Sequence, residues 1–149
     1  MWQIFKNFLH NFFGALLGRK LPEDNKNENV IVLHDLREKL NDFRMNNGLL
    51  PYFYNNFLEE IAQSKANENY FRAKADDDFS KTSIQIRLRM HGISADEINF
   101  LSVRSTNGAE GFFREIVANQ KYRGAILNGF LNSLGIAKCE NYICIILTD

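Results

Sequence analysis

Few side chains in this chain of 149 residues could carry chemistry. The histidines are His10, His34 and His91, and the cysteines are Cys139 and Cys144. A structural zinc site takes four Cys, His or carboxylate ligands, so two thiols alone make neither a zinc site nor a disulfide framework. No His-x-x-x-His pair is present, and none of Ser80, Ser83, Ser102, Ser105 and Ser133 sits in the Gly-x-Ser-x-Gly setting of a nucleophile elbow. Cys144 lies in the run Ile143-Cys144-Ile145-Ile146, where a thiol is expected to be buried and inert. Asp76-Asp77-Asp78 lacks the further oxygen donors of a calcium loop and reads as a solvated turn. His91, beside Gly92 at the end of a helical pattern, reads as a helix-end residue with a structural role. Arg72, Lys74, Arg87, Arg89 and Arg104 form the densest basic group and read as a solvated face. Tyr52, Phe53 and Tyr54 are a candidate contact patch.

These residues need a scaffold, and the composition supplies one. Hydrophobic residues make up 45% and charged residues 24%, the balance of one globular domain. Lys plus Arg is 18 and Asp plus Glu is 18, so no global basic field exists to gather phosphates and nucleic acid is not an expected partner. Residues 1–20 stand apart. Trp2, Phe5, Phe8, Phe12 and Phe13 share a broad apolar helical face with Ile4, Leu9, Leu16 and Leu17. That segment is too short and interrupted to span a membrane. Three readings stay open: an atypical signal or anchor, an interfacial helix for a membrane or partner, and a helix packed on its own domain. Residues 21–30 read as a polar linker, and 31–149 as the folded domain.

Within that domain, Leu33, Leu36, Leu40 and Phe43 predict a helix over 33–45 that Asn46-Asn47-Gly48 ends. Asn55 or Asn56 caps a second helix that runs to about Ala75. Ser83–His91 predicts a third helix, Ile98–Val103 a strand and Glu110–Ala118 a fourth helix. Tyr122–Leu127 predicts a single helical turn. Ser133–Lys138 and Tyr142–Thr148 form a hairpin across Glu140-Asn141. In that register Cys139 faces Tyr142, and Cys144 is its diagonal neighbour, too far for a disulfide. Helices and antiparallel strands without regular alternation define an α+β class.

The order of these pieces resembles the CAP superfamily, the SCP domain of cysteine-rich secretory, antigen 5 and pathogenesis-related proteins. Asn41 and Arg44 match the Asn-x-x-Arg that closes the family's first helix. Gly48-Leu49-Leu50-Pro51 follows, and Tyr54 stands at the family's Trp, which implies a core position. Phe79-Ser80-Lys81 meets Phe-Ser-His. Arg87 and Gly92 keep the family's spacing. Lys121-Tyr122-Arg123-Gly124-Ala125-Ile126-Leu127-Asn128 meets Gly-His-Arg-x-x-Ile-Leu-Asn, and Leu134-Gly135-Ile136 meets the closing Ile-Gly-Val strand. The match covers about Leu33 to Leu147. It implies a three-layer α-β-α sandwich with a cleft lined by two histidines and two glutamates, a set that binds a divalent ion in some members.

This chain departs at those four positions, as a degenerate, bacterial-type member would. Lys81 and Tyr122 replace the histidines. Glu97 reaches its glutamate position only by a one-residue slip that would turn it to the other strand face, with Ile98 the unslipped match. Asn119 falls at the second glutamate. A protonated lysine has no lone pair, and a neutral phenol is a poor zinc ligand. The resemblance therefore implies no catalytic residue, no metal and no cofactor. Lys81, Tyr122, Glu97 and Asn119 are the candidate cleft positions, with solvated Lys81 and Tyr122 as the plainer reading. The expected function is a non-catalytic binding module whose cleft takes a lipid or peptide. A lipid or protein is the expected partner, with a membrane surface as a further candidate for residues 1–20. The family's habit points to secretion or the cell surface, while the few cysteines and the lack of a clear signal peptide leave a cytoplasmic location open. The alternatives are a hydrolase-like enzyme with an unrecognised site and a membrane-inserting effector.

Overall fold

A computed structural model describes residues 26–149 of the chain. The order is α1 (Lys26–Asn46), β1 (Phe53–Tyr54), α2 (Asn56–Arg72), α3 (Lys81–Met90), β2 (Ile98–Arg104), α4 (Gly108–Ala118), α5 (Gln120–Ile126), β3 (Ser133–Cys139) and β4 (Tyr142–Thr148). The class is α+β, as the sequence predicts. Residues 1–25, with the candidate contacts Trp2, Phe5, Phe8, Phe12 and Phe13 and His10, lie outside the described residues. Residues 26–30 continue α1, so the polar segment predicted over 21–30 is helical in its second half.

The strands form one sheet in the order β1-β3-β4-β2. β1 runs parallel to β3, and the other pairs are antiparallel. β4 is central and buried along its whole length, which is why its sequence is continuously apolar rather than alternating. Its odd-numbered residues Ile143, Ile145 and Leu147 meet Leu36 and Leu40 of α1, Phe112 and Ile116 of α4 and Ile126 of α5. Its even-numbered Cys144 and Ile146 meet Leu58, Ile61, Ala62 and Ala66 of α2 and Ile84 and Leu88 of α3. Two helical layers therefore sandwich the sheet.

The helix ends follow local chemistry. Asn55 caps α2 by accepting from the backbone of Phe57 and Leu58, and Ser80 caps α3 by accepting from Ser83. α2 stops at Arg72 rather than near Ala75, because Ala73 enters the left-handed region (φ 51°) and its N–H returns to Asn69 and Tyr70. Arg44, 1% exposed, ties the first layer together. Its Nε donates to the Leu50 carbonyl at 2.8 Å, and its Nη1 to those of Ile126 at 2.7 Å and Asn128 at 3.2 Å. The guanidinium also stacks on Tyr52, 4.0 Å from the ring centre. Tyr52 is the core residue of its segment, at 5% exposure. Tyr54, which the resemblance implied to be core, is 50% exposed. It hydrogen-bonds Asn41 instead and lies under Arg37.

Candidate binding cleft

The connection from α2 to α3 crosses the open edge of β2 and brings the acidic triplet against it. Three buried side chains converge there, Asn69 from α2, Ser102 from β2 and Cys144 from β4. Ser102 Oγ donates to the Asp76 carbonyl at 2.6 Å, and Asn69 Nδ2 donates to the same carbonyl at 3.1 Å. Cys144 Sγ lies 3.2 Å from Ser102 Oγ and 3.4 Å from Asn69 Nδ2. The Asn69 Oδ1 is buried without a partner.

One residue on, the Asp77 carboxylate reaches the opposite layer. Its Oδ2 accepts from the Tyr122 hydroxyl at 2.8 Å and pairs with Lys121 Nζ at 3.0 Å. The Tyr122 hydroxyl also accepts from the Ser102 N–H at 3.4 Å. A phenol has one proton, and the charged Asp77 oxygen is the nearer and stronger acceptor than the Ser102 carbonyl at 3.3 Å. Tyr122 thus closes the β2 edge by bonding a backbone group that would otherwise face outward.

The electrostatics follow from this geometry. Burial pushes the Asp77 carboxyl up, but the hydrogen bonds from Lys121 and Tyr122 outweigh it and hold it below its ordinary range. Burial, then the Asp77 hydrogen bond, pushes Tyr122 up to about 12. Burial likewise pushes the Cys144 thiol up to about 11. Asp76 is held low first by the Asp78 N–H, with Lys65 and Arg72 beside its carboxylate at 3.7 and 3.9 Å. Asp76 and Asp77 are therefore engaged rather than part of the solvated turn that the composition suggests, while Asp78 is exposed.

Of the four candidate cleft positions, the fold brings two together. The Asn119 side chain caps α5 by accepting from Tyr122 N at 3.1 Å. Tyr122 is buried, contrary to its plainer sequence reading, whereas Lys81 is an exposed first residue of α3. Glu97 is exposed just before β2, with Ile98 buried against α2 and α3. No hydrogen bond or ion pair joins the side chains of Lys81 or Glu97 to Asn119 or Tyr122. This donor set does not fit a divalent ion. It offers a cation, a neutral phenol spent on a carboxylate, an amide spent as a cap and one detached carboxylate.

Nor do the described residues assemble a nucleophile. Ser102 has no histidine beside it. His34 is exposed with Glu38 at 3.3 Å, and His91 caps α3 and stacks on Phe57 at 3.8 Å. Cys144 is protonated and sealed. Neither Cys139 nor Cys144 is in a disulfide, and both are buried in the register expected of the hairpin. Of the basic group, Arg72 pairs with Glu68 and Asp76, and Arg104 lies over Tyr142, while Arg87 and Arg89 are exposed on α3. From sequence alone Asp77 and Ser102 are weighed and set aside, as a solvated turn and a serine outside a nucleophile elbow, and Asn69 is not singled out. The signal for Asn69 is a polar residue on the face of Leu58, Ala62 and Ala66 that α2 buries.

This architecture is the SCP-domain fold. The chain superposes with a TM-score of 0.69 and 19% identity on a cysteine-rich secretory protein from Staphylococcus aureus, covering 85% of this chain and 40% of that one. It superposes at 0.73 and 11% identity on an extracellular protein containing an SCP domain from Bacillus anthracis, covering 85% of this chain and 43% of that one. An outer surface protein from Borrelia burgdorferi matches at 0.67 and 11% identity, over 79% of this chain and 92% of that one. The chain thus spans less than half the length of the first two. No protein-family model and no curated protein sequence matches it.

Proposed function

We propose that this chain is a metal-free binding module on the SCP fold rather than an enzyme. The observation that carries the reading is the Tyr122 hydroxyl, held between Asp77 and the edge of β2. At that position a histidine would offer a lone pair to an ion, whereas this phenol donates its proton inward, and burial and Asp77 push its pKa up to about 12. The described surface favours a peptide or protein over an enclosed lipid. Three of its depressions, between α2 and α3, beside the hairpin and along the first turns of α2, hold about 270, 310 and 330 Å³ and are open to solvent. Such volumes lie at the lower end of those that take small ligands. Residues 1–20 would hold the module on a membrane or partner through their apolar face. A secreted or cell-surface location agrees with the extracellular and outer-surface origins in the names of two structural neighbours, and no described helix is long and apolar enough to cross a membrane.

The test is a native mass spectrum of the full-length protein with and without zinc. No zinc mass at one equivalent is expected. One-equivalent uptake that disappears in Asp77→Asn would overturn the reading and reopen metal-assisted hydrolysis. A co-purifying lipid mass would overturn the preference for a peptide or protein.

A further inference from the structure

One end of the molecule carries exposed apolar side chains from segments that hold no charged residue. Leu50, Phe53 and Phe130 are 76%, 70% and 78% exposed. They come from two uncharged stretches, residues 45–58 and 124–137, each 14 residues long. At the chain's 24% charged content, about three charges would fall in each. The fold puts the stretches side by side. Arg44 bonds the carbonyls of Leu50 and Asn128, and the Phe53 N–H donates to the Asn132 carbonyl at 2.8 Å. Phe130 N donates to Asn128 Oδ1 at 2.9 Å, which sets the loop that presents the ring. The apolar tips are therefore held in place before any partner arrives.

We propose that this end is a self-association surface, and that its occupant is the same end of a second copy of this chain. Interface cores are depleted of Lys, Glu and Asp and enriched in aromatic residues and Met, which describes Phe53, Phe130, Leu50 and the neighbouring exposed Met45. The three largest tips present on the order of 400 Å² of apolar surface. With exposed Asn46, Asn47 and Asn132 as a polar rim, that area approaches the roughly 800 Å² per partner of a stable interface. A two-fold axis sets like against like, and stretches without charged residues can face each other without repulsion between their own side chains. A bilayer is disfavoured by the same feature, since neither stretch holds a Lys or Arg to meet lipid headgroups. Edge-to-edge strand pairing is not the mode, because β1 has two residues and Pro51 precedes it.

The test is sedimentation velocity of the full-length protein over a wide concentration range, with Phe53→Ser/Phe130→Ser as the variant. Both side chains are exposed, so thermal unfolding should show the variant folded. A monomer–dimer equilibrium weakened about 30-fold or more in the variant is expected. A monomer at every concentration would overturn the proposal, as would a dimer that the variant leaves unchanged. So would a monomer that floats with neutral phosphatidylcholine vesicles and loses that binding in the variant. A second measurement uses Phe53→Cys, the native thiols both being buried. Mild oxidation should cross-link it into dimers faster than Ile86→Cys, a control on exposed α3. Equal rates would overturn the proposal.

Discussion

At the scale of single residues, Tyr122 does what neither its neighbours nor its position in the chain announces. Lys121 and Arg123 flank it, and its helix is seven residues long, which together read as a solvated turn. It is buried because Asp77, 45 residues away, comes to meet it. Tyr122→Phe keeps the ring and removes the hydroxyl, leaving a partly buried carboxylate short of a donor and the Ser102 N–H short of an acceptor. The expected cost is about 1–3 kcal/mol at neutral pH. Its pH dependence is the sharper signature. The folded carboxyl of Asp77 lies below its ordinary range, so its contribution is present above the unfolded pKa of about 4 and is lost as pH falls through the folded value. Without the phenol the carboxyl moves up, and less of that contribution remains. The gap in urea midpoint between wild type and variant should therefore be wide at pH 7 and narrow near pH 3. A gap that is the same at both would place the phenol's role on the Ser102 backbone instead.

At the scale of elements, the sequence was legible wherever a period ran long enough to repeat. Leu36 and Leu40 fixed the buried stripe of α1, and the continuous run from Tyr142 fixed a strand covered on both faces. What escaped was short or held from elsewhere. β1 is two residues after a proline, with no period to read, and exists because β3 offers an edge. The first turns of α1, Lys-Asn-Glu-Asn, carry no apolar repeat. They are met from β3 by Lys138, whose Nζ donates to Asn29 Oδ1 at 2.9 Å. At the cleft, substitution of the family positions was visible in the residues, whereas the Asp77–Tyr122 contact needed the fold. Gly135 shows how closely two elements can approach when one side chain is missing. A Cβ there would lie 2.3 Å from the Leu58 carbonyl carbon and 2.5 Å from Glu59 N, both backbone atoms of α2. Neither can swing aside as a side-chain tip would, so Gly135→Ala must push α2 off the sheet. A loss of about 2–4 kcal/mol in stability is expected from chemical denaturation. Gly124→Ala is the control, because nothing lies within 4 Å of its Cβ. It should be neutral or slightly stabilising, as Ala in a helix generally is.

At the scale of the whole molecule, the two layers share β4, so neither should open without the other. Protonated groups buried on both sides of the sheet make this measurable. On the side of α1, α4 and α5, burial pushes Tyr52 up to about 12, with Arg44 pulling it back only in part, and Tyr122 stands at about 12. On the side of α2 and α3, Cys144 stands at about 11. Each of these folded values lies above the unfolded one of about 8.5–10. The folded state therefore holds these protons more tightly, and their contribution is present below the unfolded pKa and lost as pH rises through the folded one. Stability should be flat through neutral pH and fall from about pH 9 upward. Of the five tyrosines, Tyr52 and Tyr122 should ionise only with the alkaline unfolding transition. A thiol reagent reports on the other layer, since both cysteines face α2 and α3. If β4 couples the layers, the thiols become reactive at the same pH at which the late tyrosines ionise. Thiols that react well below that pH, with the tyrosines still protonated, would mean that α2 and α3 lift off the sheet as a separate unit.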